Sequence, residues 1–289
     1  MGTLDGKVAL ITGAARGQGR SHAVRLAEEG ADIVAIDICA QIPSIRIPMA
    51  TRADLDETAR LVGETGRRIV CAVGDVRDRP ALSRIVADAV GELGRLDVVV
   101  ANAGVWGASV DTPGGPDARM DPADRDRLFR DILDVNLVGV WNTLQATVSH
   151  VIAGGRGGAI VLTSSTAGLH GMPVNDFAQD AYTASKHGIV GLMRSAAVDL
   201  APHDIRVNTV NPTGVRTPMA ENQVVADYFG ENPDLGNLFG NALDVDMVEA
   251  VDVSNAIVYL VGDSGRFITG VTLPVDAGFL VGGALARKG

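Results

Sequence analysis

Lys7-Val8-Ala9-Leu10-Ile11-Thr12 leads without a break into Gly13-Ala14-Ala15-Arg16-Gly17-Gln18-Gly19, and a helical pattern through Val24, Leu26 and Ala27 follows, ending at Gly30. The short apolar run has the pattern of a strand buried on both faces. Glycines behind such a strand let the backbone turn tightly and approach a pyrophosphate, and the helix that starts after them offers unpaired N–H groups to the phosphate charge. Glycine spacing alone is a weak signal, since it also marks purely structural turns. Strand, turn and helix in succession are the context that a dinucleotide site requires.

The next segment, Ala31-Asp32-Ile33-Val34-Ala35-Ile36-Asp37, reads as a second strand closing on an acid, about 20 residues beyond the glycines as a ribose-binding acid should lie. A carboxylate there accepts hydrogen bonds from the ribose hydroxyls of NAD and repels the 2′-phosphate of NADP. Arg16 points the other way, because a basic residue in the glycine loop could meet that phosphate. Asp37 stands where the ribose belongs, so the cofactor reads as NAD. After Asp37 and Ile38 comes an insertion, residues 39–52, with Pro43 and Pro48 among alternating apolar residues. It suits an extended loop rather than a helix. Two accounts stand: a tolerated surface insertion, or an apolar flap beside the adenosine half of the cofactor.

Strands and helices then alternate to the end. A crossover helix from Asp54 to Thr65 precedes a strand from Arg67 to Val73, which closes at Asp75-Val76 beside the expected adenine edge. A helix from Pro80 to Gly94 returns to a strand from Leu96 to Ala101, ending in Asn102-Ala103-Gly104. Asp121-Pro122 reads as the cap and first residue of a long helix carrying Asn136. Gly158 to Ser165 gives a fifth strand ending in two hydroxyls, and Ile205 to Val210 a sixth, ending in Asn211-Pro212-Thr213. Glu221 to Asp244 is loop-rich and apolar, a candidate cover with Tyr228, Phe229, Leu235, Leu238 and Phe239, or simply a packed excursion. A helix from about Val248 to Val261 and a strand from Val271 to Val275 complete the pattern. Such alternation, with no linker or repeat, implies one α/β domain over residues 1–289. Its expected architecture is a doubly wound parallel sheet of seven strands with helices on both faces.

The chain has 289 residues, 46% of them hydrophobic, enough for one large domain. No apolar run reaches transmembrane length and no signal peptide is apparent, so a cytoplasmic protein is expected. The net charge of −10 counts against a nucleic-acid or anionic-membrane partner. Cys39 and Cys71 form no CxxC or metal-ligand pattern, and both read as small packed residues of a reducing compartment.

Between the fifth and sixth strands lies Ala181-Tyr182-Thr183-Ala184-Ser185-Lys186. Tyrosine and lysine four residues apart share one helical face, roughly 6 Å apart along the axis. An ammonium beside a phenol favours phenolate, which makes a proton-transfer pair. Most such pairs are ordinary surface neighbours, and this one gains meaning only from the segments before it.

Taken together, Thr12-Gly13-x-x-x-Gly17-x-Gly19, Asn102-Ala103-Gly104, Asn136, Ser165, Tyr182-x-x-x-Lys186 and Asn211-Pro212 resemble the short-chain dehydrogenase/reductase family over nearly the whole chain. The resemblance implies a Rossmann fold and hydride transfer between NAD and a secondary alcohol. Tyr182 would be the general acid/base, with Lys186 on the nicotinamide ribose and lowering the tyrosine pKa. Ser165 would bond the substrate oxygen, and Asn136 would support a water relay from Lys186. The family's serine falls on Ser165 rather than Ser164, although the gap to Tyr182 is longer than usual and leaves that choice open. The family's Pro-Gly is Pro212-Thr213 here. Cofactor contacts are implied at Gly13, Arg16, Gly17, Gln18, Gly19, Asp37, Ile38, Asp75, Val76, Asn102, Ala103, Gly104, Ser164, Tyr182, Lys186, Pro212, Thr213, Val215 and Thr217.

The insertion after Asp37, with Asp75-Val76-Arg77-Asp78 downstream, is similar to a subgroup of actinobacterial carveol dehydrogenases. That likeness implies tightly held NAD, mycofactocin as redox partner and a terpenoid, carveol-like alcohol. The family also implies a homotetramer, and the apolar residues 278–286 suit either an intersubunit contact or internal packing. Trp106, Met172, Phe177, Met219 and a lid at 218–245 make the expected substrate approach mostly apolar. Two rivals stand beside this reading: a 3-oxoacyl-[acyl-carrier-protein] reductase, against which Asp37 counts, and a non-catalytic NAD-binding redox sensor.

Overall fold

Five consecutive buried residues, Val8–Thr12, form β1, and the two faces of this strand feed two different cores. Val8 and Leu10 point to one side and Ala9 and Ile11 to the other, as the two-residue period of a strand dictates. The protein, described here from a computed structural model, is seen over residues 2–107, 120–171, 177–231 and 240–282. Behind β1 the chain runs through α1 (Gly17–Glu28), β2 (Asp32–Asp37), α2 (Arg52–Glu64), β3 (Ile69–Val73), α3 (Arg79–Leu93) and β4 (Val98–Ala101). It continues with α4 (Pro122–Leu133), α5 (Gly139–Gly154), β5 (Gly158–Thr163), α6 (Phe177–Leu200) and β6 (Ile205–Pro212). A short pair of strands, β7 (Val215–Arg216) and β8 (Val248–Glu249), brackets α7 (Gln223–Glu231), and α8 (Ala250–Val261) and β9 (Thr272–Val275) follow.

The main sheet is parallel throughout and seven-stranded, in the order β3-β2-β1-β4-β5-β6-β9. Residues of α1, α2 and α8 pack on one face, and residues of α3, α5 and α6 on the other. This is the doubly wound α/β sheet that the alternating segments imply. Sequence neighbours diverge between β1 and β4, and a crevice opens there at the carboxyl ends of the strands. A third apolar cluster lies outside both faces of the sheet. It joins Ile42, Ile45 and Ile47 to Val76, Val105, Leu128, Ile132, Ala178, Val225 and Tyr228. No described helix is long and apolar enough to cross a membrane.

Three expectations are corrected. The long helix carrying Asn136 is present but not α-helical throughout: its backbone stays helical from α4 into α5 through a π-helical turn, Asp134–Val138. The loop-rich stretch after Glu221 contains the helix α7, whose buried Val225 and Tyr228 lie on one face at i and i+3. The last helix starts later than expected, because Val248 and Glu249 pair with Val215 and Arg216 instead. Leu235, Leu238 and Phe239, with Met172 and the end of the tail, lie outside the described residues.

Candidate active site

The glycine turn is shaped by contacts that a side chain would block. Gly13 has φ +67° and faces the end of β4, where an added Cβ would come within 2.8 Å of Ala103 Cα. A Cβ on Gly19 would sit 2.0 Å from the Gly13 carbonyl oxygen. Thr12 ties the two strand ends together: its Oγ1 accepts the N–H groups of Asn102 and Ala103, each at 3.1 Å. Asn102 Nδ2 in turn donates to the Thr12 carbonyl at 3.1 Å. Arg16, the residue before α1, places no side-chain acceptor on the helix. The first N–H groups of α1 therefore keep no protein side-chain cap and face the cleft, the arrangement that binds phosphate. Gln18 contributes a buried Oε1 with no hydrogen-bond partner. These features fit a dinucleotide.

Asp37 closes β2 as a nearly buried carboxylate. Its Oδ2 accepts from the Ala15 N–H and its Oδ1 from the Cys39 N–H, both at 3.0 Å, so it links the glycine loop to the start of the insertion. Remaining lone pairs on both oxygens leave it able to accept ribose hydroxyls. Arg16 lines the cleft and also reaches the insertion, its Nη2 donating to the Pro48 carbonyl.

The insertion is packed. Ile42, Ile45 and Ile47 are each 3% exposed. Gln41 holds the loop from within, its Nε2 donating to the carbonyls of Ile42 and Ile45 at 3.2 and 2.5 Å and its Oε1 accepting the Met49 N–H at 3.0 Å. Ser44 donates to Asp131 Oδ2 on α4 at 2.5 Å, and Arg77 joins Asp131 to Asp75 by ion pairs of 3.1 and 2.7 Å.

At the other end of the cleft, α6 delivers Tyr182 and Lys186 on one face. Lys186 Nζ donates to the Thr163 carbonyl at 2.9 Å and lies 5.4 Å from the centroid of the Tyr182 ring. Burial brings the lysine pKa down to about 8. Burial also holds the Tyr182 phenol above its ordinary value, with a hydrogen bond to Ser165 pulling the other way. The phenol thus stands above its ordinary value rather than below it as expected, because desolvation opposes its charged form. Ser165 is the serine that meets the phenol. Ser164 points the other way, donating its hydroxyl to the Lys186 carbonyl at 2.9 Å.

Asn136 sits in the π-helical turn with no exposure. Its side chain clamps Val105, accepting the N–H at 2.8 Å and donating to the carbonyl at 2.9 Å, with a further donation to Ser185 at 3.3 Å. Both amide donors are engaged, which leaves only acceptor capacity for a water. Gly104 keeps this floor open, since a Cβ there would stand 3.4 Å from Asn136 Oδ1 and 3.6 Å from Lys186 Nζ.

One continuous cleft, with a cavity volume of about 170 Å³, joins these parts. It is lined by Gly13, Arg16, Gly17, Gln18, Gly19, Asp37, Ile38, Asp75, Val76, Asn102, Ala103, Gly104, Ser164, Tyr182, Lys186 and Thr217. Asn136, Ser165, Pro212, Thr213 and Val215 are not part of this lining, although Ser165 bonds the Tyr182 phenol that is. Phe177 lies under the Arg125 guanidinium rather than in the lining. Sequence reading misses Gln179, on the α6 face that carries Tyr182, Thr183 and Lys186, because the residue that defines it, Trp106, is far away in the chain. Ile42, Ile45 and Ile47 also line the cleft, as do Trp106 and Met219.

A family model for short-chain dehydrogenases matches residues 7–227. The chain is 48% identical to a (−)-trans-carveol dehydrogenase of Rhodococcus erythropolis, covering 96% of this chain and 99% of that protein. A carveol dehydrogenase from Mycobacterium avium, solved in complex with NAD, aligns with a TM-score of 0.86 at 48% identity, covering 97% of this chain and 100% of that one. A short-chain dehydrogenase from Mycobacterium paratuberculosis, bound to NAD, aligns with a TM-score of 0.86 at 44% identity, covering 96% and 99%.

Proposed function

The chain belongs to the short-chain dehydrogenase family of oxidoreductases, and from that premise we propose that it interconverts a hydrophobic, terpenoid-like secondary alcohol and its ketone with NAD. The observation that carries this reading is the cleft itself. It runs from Asp37 and the glycine loop to Tyr182 and Lys186 and is walled by Trp106, Val135 and Met219. Carveol dehydrogenases and NAD-bound structures among its relatives support the same substrate class and cofactor.

Bound NAD supplies the acceptor for the hydride that leaves the carbinol carbon. Gly13, Gly17 and the start of α1 would hold its phosphates, Asp37 a ribose, and Lys186 the ribose next to the nicotinamide. Tyr182 takes the hydroxyl proton of the alcohol as its C–H hydride departs, and returns a proton to the oxygen in the reverse direction. Ser165, already bonded to the phenol, orients the substrate oxygen. Lys186 opposes the effect of burial on the phenol by placing a positive charge beside it. The insertion covers the adenosine end and slows release of NAD, so that electrons leave through a diffusible acceptor; mycofactocin is the acceptor that the subgroup suggests. The proposed setting is the cytoplasm, with the chain as a homotetramer.

Tyr182→Phe tests the scheme. It is expected to bind NAD as the parent does, measured by calorimetry, while alcohol oxidation falls by about 100-fold or more. Retained turnover overturns the assignment.

A further inference from the structure

Gln179 is a nearly buried amide, 5% exposed, at the edge of the apolar cluster, and proton transfer makes no use of it. It stands on α6 one turn ahead of Tyr182. Its Oε1 accepts the indole N–H of Trp106 at 3.1 Å, and its Nε2 donates to Thr183 Oγ1 at 3.0 Å. An indole nitrogen can only donate, so the amide has one orientation, oxygen toward Trp106 and nitrogen toward Thr183. Trp106 lines the cleft together with Tyr182 and Met219. Tyr228 of α7 packs edge-on against the same indole with centroids 5.5 Å apart. The backbone behind the indole is close against α6, where a Cβ on Gly107 would come within 2.9 Å of Ala178 Cβ. The ring is therefore fixed at its nitrogen, at its edge and at its backbone.

We infer that Gln179 is a positioning residue that sets substrate specificity. By holding the Trp106 indole in one orientation it makes that ring a rigid apolar wall, against which the carbon skeleton of a cyclic alcohol lies while its hydroxyl meets Tyr182. A flat aromatic face held still favours a compact ring over a flexible chain of the same carbon number, because the ring loses less conformational freedom on docking. The inference rests on the alcohol oxidation proposed above.

The test uses cyclohexanol and 2-hexanol as probes and the chain's own fluorescence. Trp106 and Trp141 are the only tryptophans, and Trp141 is 40% exposed on α5. In a Trp141→Phe background the emission comes from Trp106. Gln179→Leu is expected to increase acrylamide quenching of that emission about twofold or more. It is also expected to raise KM for cyclohexanol, and lower the preference for cyclohexanol over 2-hexanol, by roughly tenfold, the scale of one lost apolar contact. The kcat value and NAD affinity stay within about threefold, as expected when only uniform binding is lost. Gln179→Glu, whose carboxyl oxygen offers the indole the same acceptor, restores most of the preference.

Unchanged quenching with unchanged preference in Gln179→Leu overturns the inference, as does a fall in kcat alone or a glutamate variant no better than leucine. If Gln179→Leu does not fold, Trp106→Phe keeps the aromatic bulk without the N–H, and an undiminished ring preference in it overturns the inference. If the parent oxidises neither alcohol, the functional reading fails, and the quenching measurement still decides whether Gln179 holds Trp106.

Discussion

Lys186 carries its charge where water does not reach, and function and stability pull against each other there. Its side chain is 4% exposed, and its pKa stands at about 8, below the ordinary 10.5. A depression of that size corresponds to about 3 kcal/mol held against the folded state at neutral pH. Because the folded-state value is the lower one, the unfolded chain binds more protons between pH 8 and 10.5, and stability rises with pH across that window. Lys186→Met removes the charge and keeps the length. It also gives up the bond from the charged amine to the Thr163 carbonyl, worth about 1.5–3 kcal/mol. The variant is expected to unfold at higher urea than the parent at pH 7 when NAD is absent, by about 1 kcal/mol, and to lose this advantage toward pH 10.5. Alcohol oxidation is expected to disappear. A variant less stable than the parent at pH 7 would show that the ammonium contributes net stability. The tyrosine–lysine spacing, the glycine turn and Asp37 are legible in the sequence because each is local to one element. The partners that fix their chemistry are not. Ser165 and Ser164 differ only in which way the chain turns after β5, and Asn136 is defined by Val105, 31 positions away. Gln179 is defined by Trp106, 73 positions away, which no periodicity announces.

The insertion shows the same limit for a whole element. Its prolines and alternating apolar residues identify an extended loop, but a loop without periodicity does not say which side is buried. The structure supplies the answer through Ile42, Ile45 and Ile47 and the internal bonds of Gln41. The π-helical turn at Asp134–Val138 and the helix α7 are equally hidden. The first differs from an α-helix by one residue, and the second is only nine residues long, with an apolar face that reads as a packed loop. As a cover, the insertion is held at one end by Arg16 on Pro48 and in the middle by Ser44 on Asp131. A hydrogen bond to a charged group contributes about 1.5–3 kcal/mol. Removing the Ser44 bond together with the Gln41 brace is expected to loosen the cover without touching the substrate end. The pair Gln41→Ala and Ser44→Ala should release NADH about tenfold faster or more in stopped-flow fluorescence, with KM for the alcohol unchanged. An unchanged release rate sinks the idea that this element retains the cofactor.

At the scale of the whole molecule, the two cores that sandwich the sheet are separate from the third cluster, which gathers only segments at the carboxyl ends of the strands. In that cluster the isoleucines of the insertion and Tyr228 of α7 belong to one apolar body, joined through Val105, Leu128 and Ile132. The proposed covers over the adenosine end and over the substrate end therefore rest on the same packing, although they leave the sheet at opposite sides. Packed interiors respond to a lost side chain as a unit, because the void removes contacts from every neighbour at once. Tyr228 is 5% exposed, and its ring meets Trp106 and Phe229 edge-on at 5.5 and 5.2 Å. Truncating a buried aromatic costs about 3–5 kcal/mol where the site cannot collapse, and here the loss falls on segments that are peripheral to the sheet. Tyr228→Ala is thus expected to leave the amides of β1, β4 and β5 protected from hydrogen exchange, while those of residues 41–49 exchange about tenfold faster. NADH release should accelerate in the same variant, although α7 contributes nothing to the wall around the glycine loop. If exchange and release at the insertion stay at parent values while only the alcohol KM rises, the two covers move independently. If both change together, substrate closure and cofactor retention are a single packing event.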